Sequence, residues 1–116
     1  MAGWIGVDLD GTLAQYNGWV DVSHIGPPIP LMVNRVKEWI KDGQDVRIFT
    51  ARVSDPEVAP IARLAIESWC LVHLDKVLPV THEKDLKMYV LYDDRAVRVE
   101  RNTGVIYYDH FEESRK

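Results

Sequence analysis

Four short apolar runs, each placed before an acid or a hydroxyl and separated by segments of helical period, constrain this chain more than any other feature. Residues 3–8 form the first run, with Trp4, Ile5 and Val7 closed by Asp8, and Gly11 then opens a loop. Met32, Val36, Trp39 and Ile40 recur at helical spacing, Pro30 suits a first turn and Gly43 a C-cap, so a helix is expected to run to about Asp42. Val46, Ile48 and Phe49 give a second strand ending at Thr50. Asp55 and Pro56 open a further helical stretch with Val58, Ile61, Ala62, Ala65 and Trp69 on one face; Pro60 sets its regular start near Val58. Lys76 to Val80 reads as a third strand, and Met88 to Tyr92 as a fourth that stops at Asp93 and Asp94. Val97 to Glu100 and Val105 to Tyr108 flank Asn102, Thr103 and Gly104, the pattern of a hairpin with a three-residue turn.

Strands alternating with helices imply parallel pairing through right-handed crossovers. The expected fold is α/β: a three-layer sandwich with a mainly parallel, Rossmann-like sheet and a C-terminal β-hairpin. With 116 residues the chain has room for one domain, taken as 1–116. From Ala14 to Pro30 there is no clean period, and Gly18, Gly26, Pro27 and Pro28 punctuate a loop long enough to serve as a flap over a site. Glu112 to Lys116 reads as a frayed charged tail.

Composition excludes several classes of function. With 14 basic against 18 acidic residues and a net charge of -4, the chain has no global positive field to hold a nucleic-acid backbone or an anionic membrane. The single cysteine, Cys70, rules out an internal disulfide framework and most thiolate metal sites, and lies among apolar neighbours as an inert core residue. His73, His82 and His110 have no ligand spacing. No signal-peptide pattern and no run of roughly 18 apolar residues is present. The expectation is a soluble, cytoplasmic protein.

The residues that carry chemistry fall where strands end. In an open parallel sheet, ligands bind outside the carboxyl ends of the strands. Asp8 and Asp10 follow the first strand, Thr50 and Arg52 the second, Lys84 lies beyond the third, and Asp93 with Asp94 closes the fourth. Carboxylates gathered at one edge repel one another unless a cation compensates, and all-oxygen ligation favours a hard ion such as Mg²⁺. Beside such an ion Asp8 can attack phosphorus as a nucleophile, and Asp10 can protonate the leaving group and then activate water. Thr50 and Lys84 supply a hydroxyl and a cation to the phosphoryl oxygens, and Gly11 lets the backbone turn tightly beneath them.

Asp8-Leu9-Asp10-Gly11-Thr12-Leu13 resembles the signature loop of the haloacid dehalogenase superfamily of phosphohydrolases. The resemblance extends in order through Thr50, a lysine before the fourth strand and the Asp93-Asp94 pair, over residues 4–96. It implies a phosphomonoester hydrolase with Asp8 as nucleophile and Asp10 as general acid/base. It further implies that Asp8, the Asp10 backbone carbonyl and an acid of the Asp93-Asp94 pair bind Mg²⁺. The family lysine is read as Lys84, with Lys87 the rival. No stretch is long enough for a large cap domain, so the chain resembles the small capless members, whose open sites go with bulky substrates or with a partner subunit as lid; a homo-oligomer is one form this would take. Gly11, Thr12, Arg52 and Arg95 are the substrate-binding candidates. Tyr16, Trp19 and His24 in the flap, with the two arginines, would suit a nucleotide or a phosphorylated nucleic-acid end by stacking and phosphate pairing.

Two other readings share these residues. A receiver-like signalling domain also gathers acids, Thr and Lys around Mg²⁺, but there the phosphorylated Asp ends a middle strand and the lysine comes last. A non-catalytic phosphate- or metal-binding domain would keep the scaffold and lose the second acid, whereas Asp10 is retained.

Overall fold

The computed structural model describes residues 3–107. Its elements are β1 (Trp4–Asp8), α1 (Pro30–Lys41), β2 (Asp45–Phe49), a 3-10 turn (Ala51–Val53), α2 (Ala59–Leu74), β3 (Val80–Thr81), β4 (Met88–Tyr92), β5 (Arg98–Val99) and β6 (Ile106–Tyr107). The first four strands form a parallel sheet in the order β3-β2-β1-β4, and β5 pairs with β6 in a separate antiparallel unit. The α/β class, the Rossmann-like parallel sheet and the hairpin are as expected. Tyr108, His110 and the tail from Glu112 lie outside the described residues.

β1 is an inner strand, which explains its unbroken apolar run: Trp4, Ile5, Gly6 and Val7 are all buried. Asp8 stands opposite Phe49 of β2, and Val7 opposite Tyr92 of β4. Parallel pairing therefore brings the carboxyl ends of β1, β2 and β4 to one edge. Ile5 and Val7, Val46 and Ile48, Met32, Val33 and Val36 of α1, and Ala62, Ile66, Trp69 and Cys70 of α2 make one continuous core. Right-handed crossovers in this strand order place both helices on the same face.

The opposite face carries Trp4, Gly6, Met88 and Leu91. Gly6 fits closely there: a Cβ would meet the side chains of Leu91 at 3.0 Å and Met88 at 3.3 Å, which would have to shift to admit it. Trp4 is 1% exposed, the Arg47 guanidinium lies 4.7 Å over its ring, and its indole N–H donates to Asp85 at 2.8 Å. Only residues 82–87 join β3 to β4, too few for a crossover helix, so among the described residues side chains and this link close that face.

The helix boundaries follow the expected signals. Pro30 opens α1, Asp42 caps it and Gly43 turns away at φ +79; α2 starts at Ala59 behind Val58, which leaves Pro60 in a first turn where its missing N–H is not needed. The third strand differs from the expected 76–80. Asp75 ends α2 in the left-handed region, Leu78 sinks into the core, and Pro79 has no N–H to give; only its carbonyl takes the Ile48 N–H at 2.8 Å, and paired strand begins at Val80. In the hairpin Asn102 and Gly104 take positive φ, the Glu100 N–H donates to the Val105 carbonyl at 2.8 Å, and the Tyr107 hydroxyl donates to Glu100 at 2.8 Å. Among the described residues no helix is long and apolar enough to cross a membrane.

Candidate active site

Beyond Asp8 the chain reverses within six residues. The Leu9 carbonyl accepts from the N–H groups of Leu13 (3.0 Å) and Ala14 (2.9 Å), and the Gly11 N–H donates to the Ala14 carbonyl at 2.8 Å. Leu9, Leu13 and Ala14 are fully buried, so this loop is fixed as firmly as core. Gly11 sits at φ +88, and a Cβ on it would stand 2.5 Å from a carboxylate oxygen of Asp94. The glycine thus makes room for an acid delivered from β4, 83 residues further along the chain. Gly11→Ala is expected to push Asp94 aside, strain the turn by about 1–3 kcal/mol, and, if the three acids hold Mg²⁺, weaken its binding roughly tenfold or more. Titration calorimetry with Mg²⁺ checks this, and unchanged affinity would overturn the role given to Gly11.

Asp8, Asp93 and Asp94 each offer a carboxylate oxygen within 4.8 Å of the others. The Thr12 hydroxyl knits the group: it lies 3.1 Å from Asp94 Oδ1 and 3.5 Å from Asp8 Oδ2, and it accepts the Asp94 N–H at 3.0 Å. Burial pushes the Asp8 carboxyl up from 3.8 to about 8, reinforced by its hydrogen bond with Asp94 and then by the charges of Asp93, Asp94 and Asp10. Three acids forced together, one of them held protonated in the absence of a cation, fit a hard divalent ion with oxygen ligands. Both members of the acid pair, Asp93 and Asp94, reach the cluster.

Asp10 is not part of this group. Arg52 grips both of its oxygens, Nε to Oδ2 at 2.8 Å and Nη2 to Oδ1 at 2.9 Å. The same guanidinium donates from Nη1 to the carbonyls of Asp21 (3.2 Å) and Val22 (2.9 Å), and lies 4.9 Å from the centre of the Trp19 ring. The expected gathering of four carboxylates is therefore three plus one, and the fourth is held by a buried arginine. Arg52 is only 8% exposed and ties β2, the Asp10 loop and the flap together.

The flap is pinned at its root. Gln15 N–H donates to the Pro27 carbonyl (2.8 Å), Ile29 N–H to the Leu13 carbonyl (2.8 Å), and the Trp69 indole to the Gly26 carbonyl (2.9 Å). Gly26 is obligatory, since a Cβ there would overlap the Gln15 carbonyl. Between flap and sheet edge lies a cleft of about 310 Å³ lined by Asp8, Asp10, Thr50, Arg52, Asp94 and Arg95, with Ala51 in its wall and Tyr16 and Trp19 on the flap side. Thr50 is 3% exposed; its hydroxyl accepts the Arg52 N–H at 3.2 Å while facing this cleft.

Neither candidate lysine lines the cleft. Lys87 is at the wrong end of the sheet, because its carbonyl accepts the Trp4 N–H at the start of β1. Lys84 is exposed on the link that leaves the carboxyl edge after Thr81, whose hydroxyl accepts the Glu83 N–H at 3.0 Å. The expected cation at the site is instead arginine: Arg52, already paired, and Arg95, whose backbone N–H donates to Asp93 at 2.7 Å. Sequence reasoning missed the Thr12 bridge and the Trp69 anchor. Thr12 carries a signal, a hydroxyl four residues beyond Asp8 in the reversing loop; the Trp69–Gly26 bond, 43 residues apart, carries none.

No family model and no curated protein matches this chain. A solved structure of a conserved protein from Bacteroides thetaiotaomicron is similar to it at 22% sequence identity and a TM-score of 0.58, covering 100% of this chain and 93% of that one. That likeness bears on the fold alone.

Proposed function

We propose that the protein is a Mg²⁺-dependent phosphomonoester hydrolase that works through an aspartyl-phosphate on Asp8. The observation that carries this reading is the cluster of Asp8, Asp93 and Asp94 at the carboxyl edge of a parallel sheet, their oxygens within 4.8 Å of one another beside an open cleft. Asp8, Asp93 and Asp94 would hold the ion, which when bound lowers the charge on phosphate and acids alike. Asp8 then attacks phosphorus with a carboxylate oxygen, the bond from phosphorus to the ester oxygen breaks, and its electron pair leaves on that oxygen, which takes a proton. Water next attacks the same phosphorus, the Asp8 oxygen leaves with its electron pair, and inorganic phosphate departs with the carboxylate restored.

The chain's other groups divide the remaining work. Thr12 holds Asp8 and Asp94 in register, and Thr50 and Arg95 offer a hydroxyl and a cation to the phosphoryl oxygens. Each Asp10 oxygen accepts one hydrogen bond from Arg52 and keeps a second lone pair, through which Asp10 serves as acid and base while the pair stays closed. Release of nitrophenol from p-nitrophenyl phosphate, with and without Mg²⁺ and with Asp8→Asn as control, tests the reading. No metal-dependent release across a broad panel of phosphate esters overturns it, and a long-lived phosphoprotein would favour the receiver-like alternative.

A further inference from the structure

We infer that the cleft takes small phosphomonoesters whose leaving group carries a flat aromatic ring, stacked on the outward face of Trp19; the inference rests on the hydrolase reading and names its substrate class. Of the four tryptophans in the sequence, Trp4 and Trp69 are buried and Trp39 packs against the core with its ring 4.9 Å from that of Tyr92. Trp19 alone is exposed, at 59%, and it does so on the wall of the cleft that holds Asp8. Tyr16, 49% exposed, stands on the same wall, so two exposed aromatic rings flank one cleft.

The ring is also braced. The Arg52 guanidinium sits 4.9 Å from its centre and is itself fixed by hydrogen bonds to Asp10 and to the carbonyls of Asp21 and Val22. One face of Trp19 is thus backed by a cation that cannot swing away. A platform held in this way loses little conformational freedom when a second ring lies on it. Arg95 lines the same cleft and, among the described residues, enters no ion pair, so it remains available to the phosphate or to the ring.

Size and charge limit the ligand. About 310 Å³ is at the lower end of small-molecule sites and accommodates a phosphoryl group with a ring system. Binding a nucleic-acid end would draw on several phosphate contacts, whereas the cleft has one unpaired guanidinium and the chain a net charge of -4.

The test compares kcat/KM for adenosine 5′-monophosphate, O-phosphotyrosine and glycerol 3-phosphate in the Mg²⁺-loaded wild type, Trp19→Ala and Trp19→Phe. The wild type is expected to prefer the ringed esters; Trp19→Ala should lower that preference by about 10- to 100-fold, and Trp19→Phe should restore most of it. A larger loss for adenosine 5′-monophosphate assigns the ring to a nucleobase, and a larger loss for O-phosphotyrosine assigns it to an aryl group on the ester oxygen. Equal loss for all three esters, or no loss, overturns the inference while leaving the hydrolase reading intact. Adenosine, which has no phosphate, separates the two ideas: if no ester is turned over but adenosine still shifts the Trp19 indole N–H resonance, the hydrolase reading fails and the stacking site stands. With circular dichroism confirming that Trp19→Ala is folded, absence of that shift together with an unchanged ester preference removes the site.

Discussion

Replacing Asp8 by Asn is expected to reduce metal-dependent phosphate release by about four orders of magnitude or more, while raising the melting temperature of the metal-free protein at pH 8. The two effects have one origin. The folded Asp8 carboxyl titrates at about 8 against 3.8 ordinarily, so between those values the folded chain keeps a proton that the unfolded chain has shed. The folded state then binds more protons than the unfolded one, and stability must fall as pH rises from about 4 to about 8, levelling above that. Integrated over the window the loss is on the order of a few kcal/mol, and an asparagine that never ionises escapes it. Carboxyls held low by their hydrogen bonds, such as Asp21 with Ser23 and Asp85 with Trp4, stabilise the fold above their ordinary range and lose that contribution only as pH falls below it, outside this window. Thermal melts in EDTA at pH 5 and pH 8 read the slope directly. Adding Mg²⁺ should raise the melting temperature far more at pH 8 than at pH 5, because at pH 5 the ion competes with a proton on Asp8. A metal-free melting temperature that rises over this range, or an Asp8→Asn variant with the wild-type slope, would contradict the clustering.

Arg52→Met should be the most damaging single change away from the acid cluster. It removes a bidentate partner from Asp10, whose side chain is 23% exposed, and strips the carbonyls of Asp21 and Val22 of their donor. Breaking a buried pair by deleting one member costs more than the pair contributes, because the other charge is left without a partner. With Asp10 partly open to water the loss is about 2–4 kcal/mol, a fall of roughly 10 °C or more in melting temperature for a chain of this size. Removing the partner carboxylate as well, in Asp10→Asn with Arg52→Met, should recover part of that loss. Limited proteolysis supplies an independent readout: the flap should become a preferred cleavage site in Arg52→Met and stay protected in the wild type. Equal cleavage of both would mean that the arginine does not fasten the flap.

Much of the fold was legible because local signals and tertiary demands agree. The fourth strand runs from Met88 to Tyr92 as the apolar pattern requires, and α1 is bounded by Pro30 and Gly43, residues whose backbone limits act without help from the rest of the chain. The third strand was misjudged because Leu78 is apolar for the sake of the core and Pro79 cannot pair, two facts that hydropathy alone does not separate. For the site, the strand-end acids could be read from position, since parallel strands deliver their carboxyl ends to one edge. The cation could not. A lysine in the expected order reads the same whether its link ends at the cleft or crosses the sheet, and only the path of residues 82–87 shows that the guanidiniums of Arg52 and Arg95 are the positive groups at hand. Arg52, read from the sequence as a substrate contact, is held by Asp10 in an ion pair at 2.8 Å.

The pinned root of the flap has a consequence for what this scaffold could become. The Ala14–Pro28 bridge and the Gln15–Pro27 hydrogen bond hold the two ends of the excursion side by side, so the sheet does not register how much chain lies between them. Lengthening such a loop costs little, about 0.6 kcal/mol per doubling. The segment from residue 16 to residue 18, ahead of the Trp19, Asp21 and Val22 contacts with Arg52, is therefore a socket: an inserted helix or a whole lid domain could be spliced there, changing which molecules reach Asp8 without moving Asp8 itself.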